Sequence, residues 1–209
     1  MMGRTHLAVG IATAMLITQP SSWIQFSEAI IGGAVGGILS DVDLNPAAPK
    51  KTKKKKKKND SGSSNTYPQA IALLLTCILL AVDYFSRGGI CIAIAENRRL
   101  ATIGAIAWLL LVLLGKVCRH RGFTHSLLAL PLYSFSVYLI YKPIGIAFAI
   151  GFASHILIDL FNKTSVQIFF PLQRGFCFYL CHADGVINDV LFGLSVALTF
   201  FLPFAHYFL

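Results

Sequence analysis

Four short stretches of this chain hold residue types that bind metals and anions: THLAVG at 5–10, SDVD at 40–43, HRGFTHS at 120–126 and SHILID at 154–159. His155 and Asp159 stand four apart, so a helix puts them one turn apart on one face, as helical zinc motifs present their ligands. A hydrogen-bonded His–Asp pair is the structural alternative, but ionisable residues inside a membrane are expensive to bury and function is the default reading there. Asp41 and Asp43 close an apolar run. The macrodipole at a helix C-terminus disfavours anions, so two acids there need a cation: a metal, Arg119, or Arg121. His120 and His125 flank Gly122, which permits a tight turn, with Thr124 or Ser126 able to cap the next helix. Arg121 keeps its charge and matches phosphate or carboxylate oxygens bidentately.

The elements that must position these groups are apolar. The chain has 209 residues, 56% hydrophobic and 13% charged, with a mean hydropathy of +0.68. Soluble domains carry about 25% charged residues, so the composition is that of a membrane protein. Apolar segments run over 6–18, 28–40, 68–85, 100–118, 125–141, 143–161 and 186–207. The expectation is an all-α, polytopic helical membrane protein with about five to seven transmembrane or re-entrant helices in one bundle. The first two segments are short for full spans, and the glycines of GGAVGGILS (32–40) suit close helix packing. Residues 1–209 read as a single integral-membrane domain whose first helix is retained. Within it, 44–67 is a lysine-rich disordered loop, and 162–185 is an aromatic connection suited to the membrane surface.

Threading the segments alternately through a bilayer brings His6, Asp41, Asp43, His120, His125, His155 and Asp159 to one face, with His182, Asp184 and Asp189. Glu28, Asp83, Glu96 and His206 scatter over the other. The clustered face also holds Lys50, Lys51 and Lys53 through Lys58, eight of the 18 cationic residues. The lysine and arginine bias places it in the cytoplasm. The tract could meet anionic lipid; nucleic acid is the less favoured partner, and a solvated loop the simplest reading. Five cysteines make an odd number and no disulfide framework, and Cys177, Cys181 and His182 lack a standard zinc spacing.

THLAVG, SDVD, HRGFTHS and HILID with Pro171 twelve residues on, in this order, resemble the YdjM-like, LexA-regulon-associated, membrane-bound metal-dependent hydrolases. The resemblance covers most of the chain apart from the lysine loop and the last helix. It implies a multi-pass bacterial inner-membrane protein with metal-dependent hydrolase activity. Carried over by position, its site residues are His6, Asp41, Asp43, His120, Arg121, His125, His155 and Asp159. Two departures stand out: Leu44 where the family often has histidine, and Asn162 and Ser165 where it usually has Thr and Gly.

The chemistry that fits is metal-assisted hydrolysis of a phosphoester or other anionic amphiphile. Four histidines and three carboxylates exceed the ligands of one catalytic zinc, so either two metals share the site or some residues orient the others. A divalent transition metal is implied, with mixed N and O ligands suiting Zn, Mn or Fe equally. Asp43 or Asp159 could act as general base, and Arg121 would hold the substrate anion. The rival functions are a proton- or metal-ion-coupled transporter, and a non-catalytic anchor using the lysine tract. A transporter should carry its ligands near the midplane, often with inverted repeats; here they crowd one end and no repeat is visible.

Overall fold

Long apolar runs in lipid must satisfy their own backbone, and a helix does so within one segment. The computed structural model describes residues 2–43, 67–86, 88–118, 122–163, 165–172, 174–180 and 185–208. Those residues form eight α-helices: α1 (Gly3–Thr18), α2 (Trp23–Leu39), α3 (Tyr67–Phe85), α4 (Gly89–Glu96), α5 (Arg98–Val117), α6 (Ala129–Ile140), α7 (Lys142–Phe161) and α8 (Val186–Phe208). No strand occurs among the described residues; Val166 and Phe176 form an isolated bridge. Helices α3, α5, α7 and α8 are long and apolar enough to cross a membrane.

Their burial separates scaffold from lipid-facing surface. More than half of the α7 window, 56%, is buried, against 17% for α3, 17% for α5 and 11% for α8. The outer helices expose Leu73, Leu74, Leu109, Leu110, Phe200 and Phe201, side chains that belong against lipid. Helices α1 and α2, with 16 and 17 residues, pack with α7 as the inner layer. Their hairpin turns at Gln19, which takes a left-handed conformation at φ 46° and bonds Met15 O, and Pro20 bars further helix. Ser22 then caps α2 by accepting from Gln25 N.

Glycine sets the spacing of that layer. A Cβ at Gly37 would come 2.5 Å from His6 O, and one at Gly36 would strike Phe148 O. Only glycine lets the α2 backbone touch α1 on one side and α7 on the other. Around these contacts lie two cores. Leu7, Ile11, Met15, Phe26 and Ile38 fill the first, and Leu39, Phe123, Tyr133, Phe148, Phe152 and Ile156 the second.

Three local features differ from the sequence expectation. Residues 89–96 form helix α4, where no element was expected: Asp83 Oδ1 accepts from Ile90 N and Asp83 Oδ2 from Cys91 N. The fifth segment begins as helix at Ala129 rather than at 125, because Phe123–His125 make a 3₁₀ turn and Ser126 Oγ accepts from Ala129 N. The described residues of the 162–185 connection add contacts that the sequence did not show: Phe178 N donates to Leu160 O at the end of α7, and Leu127 N donates to Ile168 O. Cys77, Cys91, Cys118 and Cys177 are free. The lysine tract at 50–58, with Cys181, His182 and Asp184, lies outside the described residues.

Candidate metal centre

At one end of the inner layer, five ionisable side chains from four stretches of chain meet. His6 stands in the first turns of α1, and Asp41 sits in the 3₁₀ turn Ser40–Asp43 that ends α2. His125 lies in the turn before α6, while His155 and Asp159 occupy the last two turns of α7. His6, His125, His155 and Asp159 are buried to within 1% of full exclusion. The Asp41 side chain keeps 19% of its exposure and forms the opening of the cluster.

Asp159 is the hub. Its Oδ1 lies 3.3 Å from His6 Nε2, and its Oδ2 lies 3.3 Å from His125 Nε2 and 3.6 Å from His155 Nε2. Asp41 Oδ1 stands 3.8 Å from His125 Nε2 and 3.9 Å from His155 Nε2. The Nε2 atoms of His125 and His155 face each other at 3.3 Å. Two groupings, His6/His155/Asp159 and Asp41/His125/His155, bring their ligand atoms within 4.8 Å of one another, close enough to hold a metal ion.

The partners of each ring fix what its nitrogens can do. His155 Nδ1 is 2.7 Å from Gly37 O. A carbonyl only accepts, so Nδ1 carries the proton and donates. In the neutral ring Nε2 is then a lone pair, aimed at two carboxylates and another imidazole. Lone pairs facing carboxylate oxygens in a buried site repel unless a cation lies among them. His125 Nδ1 contacts Thr124 Oγ1 at 3.1 Å, and its Nε2 faces the same space as that of His155. His6 stacks on His155 with centroids 4.0 Å apart, and its Nδ1 has no hydrogen-bond partner among the described residues.

The donor set fits a transition metal: imidazole nitrogens and carboxylate oxygens suit Zn, Mn or Fe. Ligands at about 2.0–2.1 Å in tetrahedral directions stand about 3.3–3.4 Å apart, near the shorter spacings here. Neighbouring groups hold the ligands as metal sites usually require. Gly37 orients His155, Thr124 orients His125, and Gln69 Nε2 bonds Asp41 O at 3.1 Å. Sequence reading gave none of these three a role at the metal; Thr124 was read as a possible cap of the next helix. Gly37 was read as a packing residue, which it also is.

The inner-membrane family model named YdjM inner membrane protein matches residues 1–205. The chain belongs to that family. Membership and the apolar helices place it in the inner membrane, in contact with lipid bilayer. No match was found among curated proteins or solved structures. The YdjM family resemblance seen in the motifs thus extends over nearly the whole chain, the last helix included. Of the residues it carried over, His6, Asp41, His125, His155 and Asp159 are brought together. Asp43 ends the 3₁₀ turn, but its side chain lies outside the described residues, as do His120 and Arg121 entirely.

Proposed function

We propose that this YdjM-family protein is a membrane-bound, metal-dependent hydrolase acting on a phosphoester or other anionic amphiphile at the cytoplasmic boundary of the inner membrane. The observation that carries the reading is the His155 lone pair. With Nδ1 committed to Gly37, Nε2 points at Asp41, Asp159 and His125, an arrangement a bound cation stabilises and an empty one does not. His6, Asp41, His125, His155 and Asp159 are the residues that would hold the ion or its ligands. A divalent metal there supplies Lewis-acid polarisation of the scissile group and a lowered pKa for attacking water.

The chain's own groups supply the rest. Gly37 and Thr124 contact the ring nitrogens that face away from the site, and Asp41 is its partly exposed member among the described residues. Arg121 is assigned to the substrate anion and Asp43 to proton transfer on sequence grounds. The placement of the ligands at helix ends supports an interfacial substrate: His155 stands about 9 Å from the end of α7 at 1.5 Å per residue. In sequence the lysine tract follows the Ser40–Asp43 turn, and the positive-inside bias supports a cytoplasmic orientation.

The deciding experiment is elemental analysis of detergent-purified wild type beside His125→Ala and His155→Ala, followed by a panel of lipid phosphoesters. Metal present in wild type and lost in both variants, with one panel member cleaved, supports the proposal. Metal without cleavage, but with ion uptake into proteoliposomes, would favour the proton- or metal-ion-coupled transporter instead.

A further inference from the structure

Among the described residues the two ligand groupings share His155, and that sharing decides whether both can be filled at once. The His155 Nδ1 proton is given to Gly37 O, so the ring has one lone pair, on Nε2. One lone pair serves one ion. The groupings His6/His155/Asp159 and Asp41/His125/His155 are therefore alternatives for a single ion rather than two adjacent sites.

Ring geometry chooses between them. Two imidazoles bound to one ion at about 2.0–2.1 Å in tetrahedral directions hold their nitrogens about 3.3–3.4 Å apart and their ring centroids about 5.2 Å apart. His125 and His155 have Nε2 atoms 3.3 Å apart and centroids 5.2 Å apart, with planes inclined by 61°. His6 and His155 are stacked, with centroids 4.0 Å apart and planes inclined by 28°. At that separation in-plane bonds to a common ion would close to about 80°, far below the tetrahedral angle.

His6 has another use. Its Nε2 lies 3.3 Å from Asp159 Oδ1, whereas His125 and His155 meet Oδ2 of the same carboxylate. Its stacking on His155 sets His6 apart from the ion, so its contact with Asp159 is a hydrogen bond in which Nε2 donates, and its lone pair falls on Nδ1, the atom with no partner among the described residues. His6 thus holds one oxygen of Asp159 so that the other faces His125 and His155.

We infer that the site takes one ion, through His125, His155, Asp41 and Asp159, and that His6 is a positioning residue acting through Asp159. The inference rests on the metal-centre reading above and adds its stoichiometry and the division of roles. The removal of such an orienting partner weakens metal binding by about 10–100-fold in characterised sites.

The test loads detergent-purified protein with Co²⁺ and compares wild type, His125→Ala, His6→Ala and His6→Gln by bound-metal stoichiometry, affinity and visible ligand-field spectrum. A Gln amide can donate to Asp159 from a similar reach, which a purely packing role would not reward. The expected result is one equivalent in wild type and loss of binding in His125→Ala. His6→Ala should bind about 10–100-fold more weakly, and His6→Gln should recover most of that with the wild-type spectrum. Should His6→Ala fail to fold, the His6→Gln spectrum carries the test alone. Two equivalents in wild type, or a His6→Gln spectrum that has lost a nitrogen ligand, overturns this inference and leaves the hydrolase proposal standing. No metal in wild type overturns both.

Discussion

His155 and Gly37 are 118 positions apart in the chain, and their Nδ1 and carbonyl oxygen lie 2.7 Å apart. Gly37 has no side chain to push α1 off the α2 backbone, and its neighbour Gly36 has none to push off α7, which carries His155. One residue therefore spaces the helices and orients a ring of the site. Gly37→Ala tests that double role. Its new Cβ would meet His6 O at 2.5 Å, a backbone atom that can yield only by moving α1. We expect a loss of about 1–3 kcal/mol, as overpacking usually costs, together with weaker metal binding although no ligand changes. Thermal unfolding and metal titration of the purified variant check both; unaltered metal affinity would separate the glycine from the site.

Much of the site was legible in the sequence because rare polar residues in an apolar chain have few reasons to be there. Threading alone joined His6, Asp41, His125, His155 and Asp159, and the spacing of His155 and Asp159 put them on one face. What stayed hidden is non-local. Nothing in the sequence pairs Gly37 with His155, or separates His6 from the other histidines, since tautomers follow from partners that only the fold supplies. Helix α4 escaped for a similar reason: its amide-binding acid, Asp83, sits in α3, seven positions before Ile90. The start of α6 was misplaced because His125 belongs to a 3₁₀ turn and the helix opens only at Ala129, whose amide donates to Ser126 Oγ, one of the two caps the sequence offered.

The anchoring of α1 against α8 gives a contrast between a buried and an exposed contact. Asn188 Oδ1 accepts from Thr5 Oγ1 at 2.8 Å in a fully buried setting. One residue away, Arg4 pairs with Asp189 at 2.7 Å, but with side chains 50% and 59% exposed. Asn188→Ala leaves the Thr5 hydroxyl without its acceptor and should cost about 1–3 kcal/mol. Arg4→Ala should cost less than about 1 kcal/mol, because solvent screens the exposed pair. Thermal midpoints of the two variants, measured in one detergent, check the order; equal losses would contradict it.

At the far end of α2 the half-buried Tyr141 hydroxyl donates to Glu28 Oε1 at 2.6 Å. Tyr141→Phe removes that donor from a carboxyl that keeps only 7% of its exposure. We expect a destabilisation of about 1–3 kcal/mol and unchanged metal stoichiometry. The pair therefore serves as an internal control: a change in bound metal would mean that the two ends of the inner layer are coupled.

Deleting residues 50–58 removes eight lysines without touching any of the five clustered side chains. An enzyme reading expects full metal binding by the deletion variant, and weaker activity only toward anionic substrates. An anchor reading expects normal chemistry to be irrelevant and the association with anionic lipid to fall. Metal titration in detergent, beside lipid co-purification analysis, distinguishes them. Loss of metal on deletion would tie the tract to the site itself.

Metal removal should be felt as lost stability, and the reason is where the ligands come from. His125, His155, Asp159 and Asp41 reach the site from the turn before α6, from α7 and from the end of α2, so an unfolded chain offers no comparable site. A ligand that binds only the folded state stabilises it by about 2.7 kcal/mol at a free concentration one hundred times its Kd. Chelation should lower the thermal midpoint of wild type and leave that of His155→Ala where it was. If chelation shifts both proteins equally, the stabilising ion is bound somewhere other than this cluster.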